Sequence, residues 1–295
     1  MSNETGYKKI VVLGGTGLTG KPVVQELVHA GFDVTIFSRS ADAVAPIGVH
    51  VVKINNPTDV EELTQNLKGI DAVVSLLAFP AGLEPQAAAI TASKLAGVKR
   101  FVPSEFGIDH SRLTSSRLAA KDSAIEDIKK AGLEWTAIVV GLFVDTSFSP
   151  IFMINPTDGT ARIVEDTATP VAYTSLKDIG KVVAGTLKSK AAANRIVRVA
   201  SEYLSDKQAI ELLEKTTGKT FKVTTVTPIE IQNEIDAQFH LGKVLAIYKG
   251  NGILNHTPND FAEFVKDKPY TATEFLTVTK GGVETTGDWY AQVKH

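Results

Sequence analysis

Short apolar runs alternate with segments of helical periodicity through the first half of the chain. The runs are Lys9–Leu13, Asp33–Phe37, Val49–Ile54, Ala72–Leu77, Arg100–Pro103 and Trp135–Val140. Such near-continuous hydrophobicity is typical of strands that are buried on both faces of a parallel sheet. Because helical segments separate most of these runs, the pattern predicts a Rossmann-type, doubly wound α/β fold with right-handed crossovers.

The regular alternation ends near residue 145, and prolines and glycine interrupt the chain beyond it. There we expect a hairpin around Thr160–Val164, a strand at Arg195–Ala200, and helices at Leu176–Leu187, Asp206–Thr217 and Pro228–Phe239. We therefore predict a sheet domain over residues 1–150 and a smaller α+β substrate lobe over residues 151–295. The two parts are expected to interleave, and the lobe could return a strand or helix to the first domain.

Composition excludes several classes of function. Of the 295 residues, 43% are hydrophobic and 22% are charged, and the formal net charge is −2. Binding to nucleic acid is not expected, because it requires a clustered basic excess. The absence of cysteine removes disulfides, thiolate zinc sites and cysteine nucleophiles. No apolar run approaches the roughly 18 residues of a membrane span, and the polar start lacks a secretory pattern, so we predict a soluble cytoplasmic protein without a membrane partner.

A glycine-rich loop follows the first predicted strand and opens the first predicted helix. Gly14, Gly17 and Gly20 form a G-x-x-G-x-x-G spacing. Such a loop tolerates positive φ angles, lets the backbone approach a pyrophosphate, and directs the free N–H groups of the helix at the anion. An ordinary strand-to-helix turn is the alternative, although a turn needs fewer glycines. The residues predicted to bind a dinucleotide here are Gly14, Thr16, Gly17, Leu18, Thr19 and Gly20.

The end of the second predicted strand indicates which dinucleotide is bound. Sites that prefer NAD usually place Asp or Glu here to bind the ribose 2′-hydroxyl. This chain has Ser38 and Arg39 instead, and a guanidinium beside hydroxyls suits a 2′-phosphate. Lys53, at the end of the third strand, could add positive charge. We therefore predict NADPH as the cofactor, against the alternative that Arg39 is a solvated loop arginine.

A lysine lies on the apolar face of the helix predicted for residues 115–131. Lys121 comes three residues after Leu118 and four before Ile125, so it falls on their stripe. Its side chain either extends from that stripe to water or enters a cleft as a general acid or base, and periodicity leaves both open. His110, in a loop at the carboxyl edge, is a weaker candidate. The sequence contains neither H-E-x-x-H nor G-x-S-x-G, so we predict neither a metal site nor a serine hydrolase.

With these residues in view, the chain resembles the atypical short-chain dehydrogenases that include isoflavone reductase-like and NmrA-like proteins. The likeness is strongest over residues 8–145, and its most specific mark is the P-S-E-F-G segment at Pro103–Gly107. The resemblance implies that the glycine loop and Arg39 bind NADPH and that Lys121 is the catalytic lysine. Further residues that it implies for the cofactor site are Pro103, Glu105, Phe106 and Phe143, the last of them packed near the nicotinamide.

The resemblance also implies an activity. It indicates an oxidoreductase in which NADPH delivers hydride to an enone or quinone-methide-like carbon of a small phenolic or related metabolite, while Lys121 moves a proton or holds a water that does so. Two departures matter. Arg117 stands where the ordinary Tyr-x-x-x-Lys spacing has tyrosine, and Ile108–Ser111 differs from the Asn-Asp start common in the plant reductases. The alternative is a non-catalytic, NADP(H)-sensing regulatory protein of the NmrA-like type.

The sequence identifies neither the substrate nor the assembly. Six side chains of the second half could line a substrate pocket, although each is more often a core residue when taken singly: Phe148, Phe152, Met153, Tyr173, Phe239 and Tyr248. No heptad or other assembly pattern stands out, and a homodimer is left open.

Overall fold

The computed structural model describes residues 3–112, 122–165, 168–237, 249 and 253–279. Contacts between Cα atoms divide the chain into two compact units. The first unit comprises Met1–Val139, Leu176–Arg198 and Asp260–Asp267, and the second comprises Val140–Ser175, Val199–Asn259 and Lys268–His295.

The first unit alternates strands and helices, which we number along the whole chain. Its strands are β1 (Lys9–Leu13), β2 (Asp33–Ser38), β3 (His50–Lys53), β4 (Ala72–Ser75), β5 (Arg100–Val102), β6 (Glu134–Val139) and β11 (Arg195–Arg198). Its helices are α1 (Gly20–His29), α2 (Val60–Asn66), α3 (Leu83–Ala96), α4 (Asp122–Ala131), α6 (Leu176–Lys188) and α9 (Phe261–Phe264). Apart from α9, which was not predicted, these elements agree with the predicted ones with small shifts at their ends, and the helix predicted for residues 115–131 is described from Asp122 onward.

The described strands of the first unit form one parallel, seven-stranded sheet in the order β11-β6-β5-β4-β1-β2-β3. At its centre, Val11 of β1 pairs with Thr35 of β2 on one side and with Val73 of β4 on the other. The strand order reverses between β1 and β4, and open α/β sheets bind ligands beyond the carboxyl ends of the strands at such a point. The Rossmann-type prediction is confirmed. The strand predicted at Arg195–Ala200 joins this sheet beside β6.

Helices cover the sheet in two groups. Val11 belongs to a buried cluster with Leu63 of α2, Ala89 of α3 and residues of α4. Helices α1 and α6 pack against each other instead, and a Cβ at Gly180 would lie only 2.7 Å from the Pro22 carbonyl oxygen. Burial of apolar surface at about 25 cal/mol per Å² makes this layered core the main source of folding free energy.

The second unit holds two small sheets. One contains β7 (Leu142–Phe143), β10 (Val171–Thr174) and β12 (Glu202–Leu204), and the other contains β8 (Ile154–Asn155), β9 (Thr160–Val164) and β13 (Lys222–Val226). The antiparallel pair β8–β9 is the predicted hairpin. The helices are α5 (Val144–Ser147), α7 (Asp206–Thr217), α8 (Pro228–Ala237) and α10 (Ala272–Val278). This mixture agrees with the predicted α+β character of the later part of the chain.

Two features are absent from the described residues. None of the described helices combines the length and the apolar character needed to cross a bilayer. The described residues also contain no group of three or more side chains that could hold a metal ion.

Candidate functional site

The glycine loop connects β1 to α1, and its conformation requires glycine at two positions. Gly14 has a φ angle of 76°, and a Cβ there would lie 2.8 Å from the Leu76 carbonyl oxygen. At Gly20, the first residue of α1, a Cβ would lie 2.1 Å from the Gly14 carbonyl oxygen. A side chain at either position would therefore force the backbone of the loop to move.

Gly17 differs from these two glycines. Apart from its chain neighbours, a Cβ at Gly17 would meet only the Gly14 carbonyl oxygen, at 3.2 Å, among the described atoms within 4 Å. The Gly17 N–H donates to that same oxygen over 3.0 Å. Folding therefore opposes a side chain here less strongly than at Gly14 or Gly20, because only one tight contact would form, whereas a ligand that approaches the backbone closely would exclude a side chain.

The N-terminus of α1 has neither a side-chain cap nor an acidic residue. Thr19 is the N-cap residue, but its side chain makes no capping hydrogen bond. The first turn contains no Asp or Glu, and it contains Lys21. Among the described residues, none accepts a hydrogen bond from the backbone N–H of Leu18 or Thr19. Free N–H groups at the positive end of a helix dipole favour an anion.

A pocket of about 700 Å³ lies at the carboxyl ends of β1, β2, β3 and β4, all within the first unit. This is the part of the sheet where the strand order reverses. The polar lining comes from the glycine loop, the start of α1 and the end of β2, whereas α2, α3 and the loops before them supply apolar lining. The lining residues are Leu13, Gly14, Thr16, Lys21, Phe37, Ser38, Arg39, Ser40, Ala43, Val44, Ile54, Pro57, Leu63, Leu77, Ala78, Ala81, Gly82, Pro85 and Ala89.

The charge on the lining of this pocket is entirely positive. Lys21 and Arg39 are the charged lining residues, and no Asp or Glu of the described chain lines the pocket. Both side chains are exposed, and neither forms a salt bridge with another described residue. Two such cations beside a helix N-terminus suit a ligand that carries several phosphate charges.

The two further residues predicted at the strand ends differ in their positions. Ser38 and Lys53 are register partners at the ends of β2 and β3. Ser38 lines the pocket, whereas Lys53 does not. Backbone hydrogen bonds from Asn55 and Asn56 are the main reason that the pKa of Glu62 lies below its ordinary value, and the charge of Lys53 adds a smaller effect in the same direction.

The segment that follows β5 is tied to a wall of the pocket. The Ser104 N–H donates to Oε1 of Gln86 over 2.8 Å, and the Ser104 hydroxyl donates to the carbonyl oxygen of Leu77, a lining residue, over 2.8 Å. The residues of this segment that were expected to bind cofactor are buried or half-buried and do not line the pocket: Pro103, Glu105 and Phe106. Their contacts with cofactor stay predictions.

A buried carboxylate that sequence reasoning missed follows this segment. Asp109 is fully buried, accepts a hydrogen bond from Nε of Arg198 over 2.7 Å, and lies 3.1 Å from Nε of Arg112. Burial acts to raise the pKa of Asp109, but hydrogen bonds from Ser111 and Arg198 outweigh it and hold that pKa below its ordinary value. Because Arg198 belongs to β11, Asp109 ties the loop after β5 to the edge strand of the sheet.

Several expected residues have no described side chain. Lys121, the expected catalytic residue, lies outside the described residues, as do Phe239 and Tyr248. His110 begins a short 3-10 helix that ends at Arg112, but its side chain is not described.

The second unit carries the remaining candidates. Phe143 is half-buried in β7 and is the register partner of Thr174 in β10. Phe148 and Tyr173 are buried, and their rings stack with centroids 5.6 Å apart, which makes both of them core residues. Two other side chains that could have lined a pocket are half-buried: Phe152 and Met153.

A buried ion pair, also missed by sequence reasoning, adjoins this core. Nζ of Lys249 donates to Oδ1 of Asp206 over 2.7 Å and hydrogen-bonds to the side chain of Tyr173. Burial opposes the charge of Lys249, but Tyr173 and Asp206 outweigh it and raise the pKa of this lysine. The pair therefore stays charged and holds residue 249 against the first turn of α7.

Comparison with known proteins finds one matching family model and relatives that are named as reductases or oxidoreductases. The model of the NmrA-like family matches residues 6–276. Pinoresinol reductase 2 of Arabidopsis thaliana is 27% identical over an alignment that covers 88% of this chain and 92% of that protein. The isoflavone reductase homolog IRL of Zea mays is 28% identical, with 81% and 84% covered, and the oxidoreductase aprR of Aspergillus flavus is 27% identical, with 81% and 84% covered.

Solved structures show the same fold. The structure of AtPrR2 with NADP⁺ and (+)-pinoresinol is 24% identical, covers 92% of this chain and 98% of its own, and has a TM-score of 0.79. The leucoanthocyanidin reductase–NADPH complex from Vitis vinifera is 21% identical, covers 92% and 99%, and has a TM-score of 0.80. The resemblance and the fold predicted from the sequence are confirmed, and the names of these proteins agree with the predicted oxidoreductase and its NADPH cofactor.

Proposed function

The chain belongs to the NmrA-like family, and we propose that it is an NADPH-dependent reductase of a small phenolic, enone or quinone-methide-like metabolite. One observation carries the proposal: a pocket at the switch point of the sheet is lined by two cations without an opposing carboxylate among the described residues. We assign cofactor binding to the predicted domain of residues 1–150 and substrate binding to the predicted lobe of residues 151–295, apart from the segments Leu176–Arg198 and Asp260–Asp267, which belong to the first unit. We also place the protein in the cytoplasm, because a chain without cysteine suits a reducing compartment. The homodimer stays a prediction.

The glycine loop fits a pyrophosphate. Gly14 allows the tight turn, Gly20 allows the start of α1 to lie against the backbone of the loop, and Gly17 presents no side chain to a ligand. The N–H groups of Leu18 and Thr19, which no described residue accepts, are the donors that we assign to the phosphate oxygens. Such contacts exploit the helix N-terminus without any side-chain charge.

The charged end of the pocket fits NADPH better than NADH. Arg39 and Ser38 stand at the end of β2, where a carboxylate would bind the 2′-hydroxyl of NADH and repel a 2′-phosphate. We assign Arg39 to the 2′-phosphate, because a guanidinium offers paired donors that match phosphate oxygens. We assign Lys21, which lines the same pocket from the first turn of α1, to the phosphates of the dinucleotide.

The proposed reaction needs a hydride from the cofactor and a proton transfer by one lysine. When bound, NADPH supplies a hydride to an electrophilic carbon of the substrate. We assign Lys121 to the accompanying proton transfer, either directly on the substrate or through a water that it holds. Lys121 lies outside the described residues, and its role rests on its place on the apolar stripe and on the family resemblance. Cofactor contacts of Pro103, Glu105, Phe106 and Phe143 stay predictions that rest on the family resemblance.

The names of the relatives support the substrate class. Curated relatives include reductases named for pinoresinol and isoflavone. An adjacent phenol or carbonyl can stabilise the charge that develops as hydride is added, and a lysine near that oxygen would assist. We therefore propose a substrate that offers a conjugated, electrophilic carbon beside an oxygen.

The test is turnover of NADPH with a panel of enones, quinones and phenolic conjugates, followed by absorbance of the reduced nicotinamide. Lys121→Ala should lower turnover by about 10²–10⁴-fold and leave NADPH affinity within about twofold. Lys130→Ala, an exposed lysine of α4, is the matched control and should behave as the wild type.

Either of two results would change the proposal. If Lys121→Ala turns over as the wild type does, this lysine has no catalytic role. If the protein binds NADPH tightly but turns over nothing in the panel, the NADP(H)-sensing alternative replaces the reductase.

A further inference from the structure

The pocket has an apolar wall on the side of α2 and α3, whereas its other end is lined by polar and positively charged side chains. The wall is formed by Ile54, Pro57, Leu63, Ala81, Pro85 and Ala89. None of these side chains can donate or accept a hydrogen bond. The polar lining side chains belong to the glycine loop, the start of α1 and the residues around the end of β2. If phosphates occupy that polar end, the purine base of the dinucleotide faces the apolar wall.

Two polar side chains that follow Ile54 of this wall, Asn55 and Asn56, each form hydrogen bonds with other residues of the first unit. Asn55 donates to Oε1 of Glu62 from both its backbone N–H and its Nδ2, each over 2.9 Å. The backbone N–H of Asn56 donates to Oε2 of Glu62 over 3.0 Å, while its Oδ1 accepts from the hydroxyl of Thr58 over 2.8 Å. Neither asparagine lines the pocket.

We propose that this pocket selects its dinucleotide by phosphate charge and not by the identity of the base, so that a hypoxanthine dinucleotide phosphate serves as well as NADPH. This inference rests on the proposed cofactor. Hypoxanthine has the shape of adenine, but it carries an acceptor in place of the 6-amino donor and a donor at N1. A site that hydrogen-bonds the base must lose affinity when that pattern is inverted, whereas an apolar wall buries both bases equally.

Calorimetric titration of the whole protein with three ligands tests the proposal. The ligands are NADP⁺, nicotinamide hypoxanthine dinucleotide phosphate and NAD⁺. The hypoxanthine ligand should bind within about threefold of NADP⁺, because an apolar wall discriminates weakly. NAD⁺ should bind at least about tenfold more weakly, because it lacks the phosphate that Arg39 binds.

The outcomes separate this inference from the proposed function. Tight NADP⁺ binding with a hypoxanthine ligand more than about tenfold weaker would show that a polar group reads the base, which overturns the inference and leaves the reductase intact. Failure of NADP⁺ itself to bind would overturn the cofactor assignment and the inference together.

Three variants test where the purine base binds and whether the side-chain amide of Asn55 contacts it. Ala81→Phe fills the wall and should weaken NADP⁺ at least about fivefold, because the base loses apolar contact area. Ala87→Phe, at an exposed position of α3 outside the lining, should leave affinity unchanged. Asn55→Ala should leave the ratio of the affinities for NADP⁺ and for the hypoxanthine dinucleotide phosphate unchanged. An Ala81→Phe protein that binds as the wild type, or a ratio that shifts in Asn55→Ala, would overturn the proposal.

Discussion

The N-termini of α1 and α2 lie in the same unit but are completed in opposite ways. At α2, the Asp59 side chain accepts hydrogen bonds from the N–H groups of Glu61 and Glu62 over 2.9 and 3.1 Å, and both of those residues add negative charge to the first turn. At α1, Thr19 makes no capping bond, no acid is present in the first turn, and Lys21 occupies it.

The difference shows which helix end is left for a ligand. Caps and acidic residues satisfy free N–H groups and the positive helix end, and α2 obtains both from its own sequence. Helix α1 obtains neither and adds a cation, an arrangement that costs stability until an anion arrives. The pocket beside this end carries no negative side chain of the described chain. We propose that the phosphates of the cofactor supply the missing cap of α1.

The largest expected effect comes from the glycine loop. Gly20→Ala places a Cβ 2.1 Å from the Gly14 carbonyl oxygen, so it should lower NADPH affinity more than about 100-fold and also destabilise the free protein by about 1–3 kcal/mol. Gly17→Ala should lower NADPH affinity at least about tenfold and change the stability of the free protein by less than about 1 kcal/mol, because its Cβ would make one tight contact, 3.2 Å from the Gly14 carbonyl oxygen, in place of the severe overlap at Gly20. Titration and urea unfolding of both variants measure this, and equal stability losses would contradict it.

The next effect is on cofactor choice. Arg39→Ala should lower the affinity for NADPH by about 10–150-fold, since a charge-assisted contact contributes about 1.5–3 kcal/mol. It should leave the affinity for NADH nearly unchanged. Lys53→Ala, which removes a cation that does not line the pocket, should have a smaller effect on NADPH. Parallel titrations with both dinucleotides measure the ratio. An equal loss for NADPH and NADH in Arg39→Ala would show that Arg39 does not bind the 2′-phosphate.

The smallest effect is on the caps themselves. Asp59→Ala should lower the free energy of unfolding by about 1 kcal/mol, because it removes two capping bonds, and it should leave NADPH affinity unchanged. In the absence of ligand, Thr19→Ala should cost less than about 0.5 kcal/mol, because Thr19 makes no capping bond to lose. Urea unfolding of the two variants measures this pair of values. A larger loss for Thr19→Ala than for Asp59→Ala would reverse the comparison.

Periodicity predicted most of the first unit because its central strands, such as β1 and β4, are local apolar runs buried on both faces, although the edge strands β3 and β11 are only partly buried. The place of β11 was harder, since Arg195–Arg198 pairs with β6 across a long stretch of intervening chain. Local patterns show that a segment is a strand, but they do not show which strand it pairs with. For the same reason the salt bridge of Asp109 to Arg198 and that of Asp206 to Lys249 could not be predicted.

The parts of the candidate site that could be predicted are those marked by a few neighbouring residues in the sequence. The glycine spacing and Arg39 indicated the pocket that the structure describes, because their residue types suit one ligand. Lys21 was missed, although a signal existed: a helix that begins after Thr19 with a lysine and no acid departs from ordinary capping. The apolar wall could not be predicted, because Ile54, Leu63 and Ala89 come from separate elements and each suits a core equally well.

Thermal unfolding of Lys21→Glu, with and without NADPH, tests the central claim most directly. An acid in the first turn favours the helix dipole, so the free variant should be more stable than the wild type by about 0.3–1 kcal/mol. The same acid repels phosphate, so the rise in Tm that NADPH gives to the wild type by binding the native state should be lost. A less stable free variant, or a rise in Tm with NADPH equal to that of the wild type, would contradict the account.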